Sequence, residues 1–545
     1  MRDPLRILAA MPDKAPPAEA AVELVELRVL DGPNRFFTRP AVKLEFAGPE
    51  PGAADAIAAS AGLAVRRLHT ELGMPAPRIT VRHSVDRTRT AVAYPWRRRT
   101  VSQAIGAAAA RIARGVGIEE RELAALGAVA LGPLAHVPRP AVPVVAVTGT
   151  NGKSTTTRLI AHVAASAGMA VGMTNSDGIF VRSELVEAGD WTGFGGAGRI
   201  LSERGLDLAV LETARGGILL RGIGYAANDV SVVTNISADH LGLQGIDTLE
   251  ELAEVKAAIV RITRPSGWAV LNVDDPLVWQ MRRETRAGIY AYGLDPDSMA
   301  MNDTVDARGR AATVERGWIV LRGAGRRPRR VAEVADLPVT FGGLSVHNVA
   351  NALAATAACD ALELPIEAIA TGLRTFVLDA AANPGRLNLY ERRGILVLID
   401  FAHNEAGLTG LLQVARALAG SRGSVRLAYG TAGDRTDEIL HRIGVIAAQG
   451  ADDLVICEKR HYLRGRDLEE MNAILRAGAV EGGYTGEIAA LPGELSALQA
   501  LLQRARRGDV CAVMTHVERT EIAEWLKASA FAPVGADRVR ELVEA

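Results

Sequence analysis

The sequence predicts an α/β chain in which two parallel, doubly wound units follow an α+β module. The first observation behind this is a short apolar, β-branched run over 144–147. It enters a Gly-rich turn from Gly149 to Gly152, then Lys153, hydroxyl residues and a helical pattern over 158–167. The second is rhythm: strand and helix patterns alternate from Val144 onward and again from about Gly385, as parallel sheets require. Residues 1–137 lack that rhythm and mix strand and helix patterns, which reads as α+β.

Taken in order, the N-terminal module (1–137) has strand patterns over 22–29, 41–46, 79–83 and 91–96. Helical patterns cover 54–72 and an Ala-rich stretch over 101–114. Pro138, Pro140 and Pro143 mark a linker. The central unit (141–378) is expected to place strands at 144–147, 206–211, 230–235 and 268–272. A β-rich segment follows between about 297 and 340, and helices over 346–358 and 366–375 close the unit. The last unit (379–545) has strand patterns at 396–400, 425–429, 453–456 and 510–514 and ends in a helical pattern over 518–528.

Composition narrows the partners. Of 545 residues, 48% are hydrophobic and 23% charged, ordinary for a globular chain. The net charge of -1 argues against a nucleic-acid backbone as partner. Cys359, Cys457 and Cys511 are too far apart for paired metal ligation or a disulfide framework. Asp3 and Pro4 interrupt the apolar start, a poor signal peptide, and Pro133 interrupts the longest apolar stretch, 123–134. A cytoplasmic protein without a membrane span is expected. The only lysines are Lys14, Lys43, Lys153, Lys256, Lys459 and Lys527. A chain that writes arginine almost everywhere has kept lysine at the Gly-rich turn and at Lys256. Lysine, unlike arginine, can lose its proton or become a carbamate.

The turn Gly149-Thr-Asn-Gly-Lys-Ser154 has the parts that phosphate binding needs. Glycines admit backbone N–H groups to phosphate oxygens, a helix N-terminus contributes its positive dipole end, and a lysine meets the terminal phosphates. The spacing is shorter than G-x-x-x-x-G-K-[ST]. Downstream, Glu212 ends an apolar strand at the sheet edge where ligands bind in open α/β folds, and so is placed to hold a magnesium ion. Asp239 and His240 follow the next strand and fall near the same edge. Lys256 lies on a helical pattern over 248–260, among alanine and valine neighbours.

These and further segments resemble the ATP-dependent Mur ligase family, and within it the Mur-ligase-like half of the cyanophycin synthetases. The match is carried by Val147-Thr-Gly-Thr-Asn-Gly-Lys-Ser-Thr155, Thr174-Asn-Ser-Asp-Gly-Ile179, Leu211-Glu-Thr-Ala-Arg-Gly-Gly-Ile218 and Thr234-Asn-Ile-Ser-Ala-Asp-His240. It continues in His347-Asn-Val-Ala-Asn351, Pro384-Gly-Arg386, Asp400-Phe-Ala-His-Asn404, Gly433-Asp-Arg435 and Leu463-Arg-Gly-Arg466. It covers roughly residues 141–545. The resemblance implies a P-loop ATP-binding domain, with Thr150, Asn151, Gly152, Lys153, Ser154 and Thr155 around the phosphates, and a Rossmann-like C-terminal domain. Ser154, Glu212 and His240 would hold Mg2+, and Lys256 matches a lysine commonly carbamylated in the family to support a second metal ion. Asn348 and Asn351 match residues near adenine; Arg386 and Asp400 match groups contacting phosphate and ribose as the last domain closes. Lys153, Glu212, His240, Lys256 and Arg386 would form the catalytic set. His403, Asn404, Asp434 and Arg435 fall in matching segments.

By the same resemblance, ATP phosphorylates a carboxylate to an acyl phosphate, which an amino-acid amine then attacks. The leading case joins arginine to an aspartate side chain, on a peptide or small amino-acid acceptor, and relatives commonly form homo-oligomers. Two features depart from the family. The N-terminal module resembles that of cyanophycin synthetases through Leu27-Arg-Val-Leu-Asp-Gly-Pro-Asn34, but only about thirty residues separate Arg114 from Pro143, leaving no room there for an ATP-grasp domain. Glu405 stands where relatives usually have proline. Two other readings stay open: a catalytically reduced, nucleotide-binding regulatory partner of a complete synthetase, and a folylpolyglutamate-type ligase. Joint retention of the catalytic set argues against the first, and the 211–218 segment against the second.

Overall fold

The computed structural model describes residues 22–238, 241–378, 380 and 383–544. They form three sheets. In the N-terminal module, β1 (Glu23–Leu30), β2 (Ala41–Ala47), β3 (Thr80–His83) and β4 (Arg89–Pro95) pair antiparallel in the order β1-β2-β4-β3. Helices Ala53–Glu71 and Arg99–Ala113 cover one face, where Val42, Leu44 and Phe46 meet Ala58, Val65 and Ile105. Alanines at 58, 61, 108 and 109 keep these helix faces thin enough to pack together on the sheet. A helix the sequence patterns did not announce, Glu120–Ala128, starts at a capping box made by Glu119 and Glu122, an unusual N-cap residue type.

The central sheet has eleven strands. They are β5 (Val144–Thr148), β6 (Val171–Thr174), β7 (Gly178–Val181), β8 (Glu184–Ala188), β9 (Leu208–Glu212), β10 (Asn228–Val233), β11 (Thr263–Asn272), β12 (Gly288–Tyr292), β13 (Arg310–Glu315), β14 (Trp318–Gly323) and β15 (Arg329–Glu333). Their order is β15-β14-β13-β12-β11-β10-β5-β9-β6-β7-β8. From β13 to β6 the pairing is parallel; at the two ends β14, β15, β7 and β8 add on antiparallel. The expected parallel sheet is therefore its middle only. The centre β5 is buried along its length, because both faces are covered: Val145 and Val147 point to one core, Val144 and Ala146 to another. Each flanking core includes helix residues, Leu159 and Leu353 in one and Val255 and Ile259 in the other. The helical pattern at 248–260 is two helices, Leu249–Lys256 and Ala258–Arg261, which meet at Ala257.

The C-terminal sheet has seven strands: β16 (Asn388–Arg392), β17 (Ile395–Asp400), β18 (Val425–Tyr429), β19 (Asp453–Cys457), β20 (Ala489–Leu491), β21 (Val510–Met514) and β22 (Ala532–Pro533). The order β20-β19-β18-β21-β17-β16-β22 is parallel as far as β17, with β16 and β22 antiparallel. Phe341, from the segment before this domain, is buried in its core with Leu387, Leu389 and Val539, forming an apolar joint between the central and last domains. All three cysteines are buried and free. Among the described residues no helix is long and apolar enough to cross a membrane.

Candidate active site

The carboxyl ends of β5, β9 and β10 lie side by side in the central sheet, and the residues that end β9 and follow β5 line one wall of a cleft of about 870 Å³. In open α/β sheets ligands bind at this edge, where successive connections leave in opposite directions. Here the chain leaves β5 toward β6 on one side and later returns to β10 on the other.

After β5 the backbone makes the Gly-rich turn with φ of 149° at Gly149 and 80° at Gly152. Both positions also have no space for a side chain. A Cβ on Gly149 would meet Thr234 Oγ1 at 1.8 Å, and one on Gly152 would meet Asn351 Oδ1 at 2.2 Å. The turn is held from β10's extension: Asn151 N–H donates to Asn235 Oδ1 at 2.9 Å, and Thr234 Oγ1 donates to Asn151 O at 2.6 Å. Helix Lys153–Ser166 then begins with no side-chain cap and no acidic residue in its first turn. Its first N–H groups and positive dipole end are left for an anion.

Around that helix end stand the charged groups. Lys153 Nζ folds back to donate to Thr150 O at 2.8 Å. Glu212, at the end of β9, is only 3% exposed, and its Oε2 is buried without a hydrogen-bond partner among the described residues. Burial pushes its carboxyl pKa up, against the opposing pull of Lys153, Ser154 and Arg386. Lys256, 3% exposed, donates from Nζ to Gly149 O at 2.5 Å, tying its helix to the turn. Asn351 donates to Asn348 Oδ1 at 2.9 Å and accepts from Thr156 Oγ1 at 3.3 Å.

The opposite wall comes from the C-terminal domain. Arg386 lies over the Phe401 ring, 4.4 Å from its centroid, with Nη2 3.5 Å from Ser154 Oγ across the cleft. Burial lowers its pKa, while Asp177, Asp400 and Glu212 work to raise it. Asp400, at the end of β17, accepts from Leu387 N–H at 2.9 Å; burial pushes its carboxyl up to about 6 against the pull of Arg386. Asn404 Nδ2 donates to Asn151 Oδ1 at 3.0 Å, and Asn151 Nδ2 to Asn404 Oδ1 at 3.3 Å, a reciprocal amide pair between the two domains. Arg519 Nη1 crosses to Asp177 Oδ1 at 2.9 Å, and Arg158 holds the other oxygen at 3.0 Å. Burial alone would raise the Asp177 pKa, but Arg519, Arg386 and Arg158 together hold it below the usual value.

Thr150, Asn151, Gly152, Lys153, Ser154, Thr155, Glu212, Lys256, Asn348, Asn351, Arg386 and Asp400 all line this one cleft. His240, like Asp239, lies outside the described residues. Ser176, Asp190, Arg215, His347 and Phe401 also line it without having been singled out from sequence. Ser176, Arg215, His347 and Phe401 sit inside quoted motifs, where position within the motif was the available signal; Asp190 had none. The Gly-rich stretch after Trp191 forms helix Phe194–Leu201. Its Gly196 must be bare, since a Cβ there would meet Trp191 O at 2.1 Å.

Residues 147–359 match the Mur ligase middle domain, and residues 385–516 match the Mur ligase glutamate ligase domain. The chain belongs to the Mur ligase superfamily. Among curated Mur-ligase-like relatives, cyanophycin synthetase of Synechocystis sp. is 41% identical over 62% of this chain and 38% of its own length. That of Crocosphaera subtropica is 38% identical over 68% of this chain and 42% of its own. The chain thus spans about two-fifths of the length of these relatives. Among solved structures, E. coli FolC in complex with DHPP and ADP aligns with a TM-score of 0.52 at 20% identity, over 72% of this chain and 90% of FolC, a likeness of fold.

Mur ligases as a family use ATP with Mg2+. Among the described residues no group of three or more His, Cys, Asp or Glu side chains could hold a metal ion. The donors present nevertheless fit magnesium, which keeps several waters and binds through one or two protein oxygens plus phosphates. Ser154 Oγ is one such oxygen, and the buried Glu212 Oε2, without a hydrogen-bond partner among the described residues, is the other.

Proposed function

We propose that the chain is an ATP-dependent carboxylate–amine ligase that activates its first substrate as an acyl phosphate. The supporting observation is that an uncapped helix end with Lys153 faces Arg386 across a cleft bridged by only a few polar contacts. A carboxylate oxygen of the acceptor attacks the γ-phosphorus of ATP, and the bond to the bridging oxygen breaks to release ADP. An amine then attacks the acyl carbon, phosphate departs with the C–O electron pair, and the nitrogen loses a proton. Lys153 and the turn N–H groups bind and orient the phosphates, and Arg386 meets the charge from the opposite wall. Mg2+, held by Ser154 and Glu212, supplies neutralisation of phosphoryl charge. His240 belongs to the same proposed metal set. Asn348 and Asn351 border the adenine, Asp400 the ribose, and Lys256 is the proposed site of a carbamate. Closing of the C-terminal domain excludes water from the acyl phosphate.

The proposed substrate pair follows the cyanophycin-synthetase likeness: an aspartate side-chain carboxylate on a peptide or amino-acid acceptor, and the amine of arginine. Arg215, on the cleft wall beside Glu212, is suited to bind an acceptor carboxylate. The test is a phosphate-release screen with ATP, Mg2+, amino acids and aspartyl peptides, with product masses identifying the bond. Acceptor-dependent release is expected, and Lys153→Ala should lower it on the order of 100- to 1,000-fold. Nucleotide binding without turnover on any acceptor would favour a regulatory subunit; glutamate addition to a folate would favour a folylpolyglutamate-type ligase.

A further inference from the structure

The N-terminal module is docked onto the central domain through a built loop, residues 31–37. Asn34, 1% exposed, organises it: its Nδ2 donates to Gly32 O and Arg39 O, and its Oδ1 accepts from Phe36 and Phe37 N–H, all within 2.9–3.1 Å. The loop grips the chain at two places next to residues that line the cleft. On one side, Asp31 N–H donates to Arg221 O at 2.8 Å, and Ile223 N–H donates to Pro33 O at 2.7 Å. The backbones touch there: a Cβ on Gly32 would lie 1.8 Å from Ile223 O. Asp31 also accepts from Arg221 Nη2 at 2.8 Å. Just before this grip, helix Arg215–Leu220 contributes Arg215 and Leu220 to the cleft.

On the other side Arg35 reaches helix Leu249–Lys256. Its Nε donates to Glu254 Oε2 at 2.7 Å and its Nη2 to Glu251 Oε1 at 3.3 Å. Arg82 of β3 holds the second oxygen of Glu254 at 2.8 Å, and Arg261 Nη1 donates to Arg35 O at 3.1 Å. Arg35 is 9% exposed, so the pair is shielded from the screening that makes surface ion pairs weak. Two residues beyond Glu254 is Lys256, whose Nζ meets Gly149 O of the phosphate turn. A continuous path therefore runs from the N-terminal loop, through one short helix, to that turn.

We propose that the N-terminal module is an intramolecular brace for the cleft, and that Arg35 is a positioning residue that fixes the Lys256 helix against the phosphate turn. The kinetic part of this rests on the ligase reading; the structural part does not. Amide hydrogen exchange on the full chain tests it, comparing wild type with Arg35→Ala and with Glu254→Gln, which weakens the same pair from the central-domain side and leaves the module's own residues intact. Both variants are expected to exchange about ten-fold faster over 249–256, with β2 in the N-terminal module keeping wild-type protection. Arg35→Lys should recover part of the loss. In turnover assays kcat should fall five- to ten-fold with KM for ATP unchanged. Wild-type exchange over 249–256 in Glu254→Gln overturns the brace, as does a loss in KM alone. A wild-type protein with no acceptor-dependent turnover would sink the ligase reading, while the exchange measurement would still decide the brace.

Discussion

Two strand-to-helix junctions face each other across the cleft and treat their helix ends in opposite ways. After β5, helix Lys153–Ser166 starts at Gly152 with no side-chain cap and no acid in its first turn. After β17, helix Glu405–Ala419 starts at Asn404, whose Oδ1 accepts from Gly407 N–H at 2.9 Å, and its first residue is Glu405. The first end leaves its donors and dipole unsatisfied and so favours an anion. The second has filled a donor and placed a carboxylate where a phosphate would be repelled. Similar local topology thus yields one phosphate-ready end and one end suited to bridging, as the Asn151–Asn404 amide pair shows.

The largest expected effect comes from filling the open junction. Gly152→Ala puts a side chain at φ 80° and against Asn351 Oδ1. The left-handed backbone alone costs about 1–2 kcal/mol of stability, and the methyl's clash with Asn351, by displacing the turn, should lower nucleotide affinity measured by calorimetry roughly ten-fold.

Next is Glu212→Gln, which should weaken Mg2+–nucleotide binding on the order of ten-fold. In the nucleotide-free protein it should have the opposite sign. Glu212 has a raised folded pKa, so the folded state binds its proton more tightly, and its ionisation costs stability as pH rises above the unfolded value. The variant should therefore melt higher than wild type near neutral pH and lose about 1.4 kcal/mol of the stabilisation that saturating Mg2+ and ATP confer.

Asp400→Asn applies the same test to the opposite wall. With a folded pKa of about 6 against 3.8, this group's destabilisation begins near pH 4, grows through pH 6 and is then constant. The variant should gain roughly 1–2 kcal/mol at pH 8 and almost nothing at pH 4, after allowance for its partial exposure; thermal melts at the two pH values check it. The smallest effect is expected from Asn404→Asp. It keeps the helix cap, so stability should stay within about 0.5 kcal/mol, but it removes the Nδ2 donor to Asn151. Nucleotide affinity should drop a few-fold; Asn404→Ala should also lose about 1 kcal/mol of stability with the cap.

Much of the cleft was legible because its parts are local. A β-branched run, two glycines and a lysine specify the phosphate turn within a dozen residues, and the motifs around Glu212, Asn348, Asn351, Arg386 and Asp400 each sit at a strand or helix end. What the sequence hid is what only assembly produces. The antiparallel edges β7 and β8 are strands of four and five residues whose pairing depends on their neighbours. Strand β12 is likewise only five residues, Gly288–Tyr292. The grip of Arg35 on Glu254 spans 219 positions, and no periodicity encodes it. Lys256 was singled out from sequence, but its hydrogen bond to Gly149 O, 107 positions away, was not readable there.

The joint at Phe341 and the seam at Arg519–Asp177 part at different cost. Buried apolar surface at the joint carries no charge for ions to screen, whereas ions screen the guanidinium–carboxylate contact at the seam. Added salt therefore loosens the Arg519–Asp177 seam and leaves the Phe341 joint without electrostatic screening.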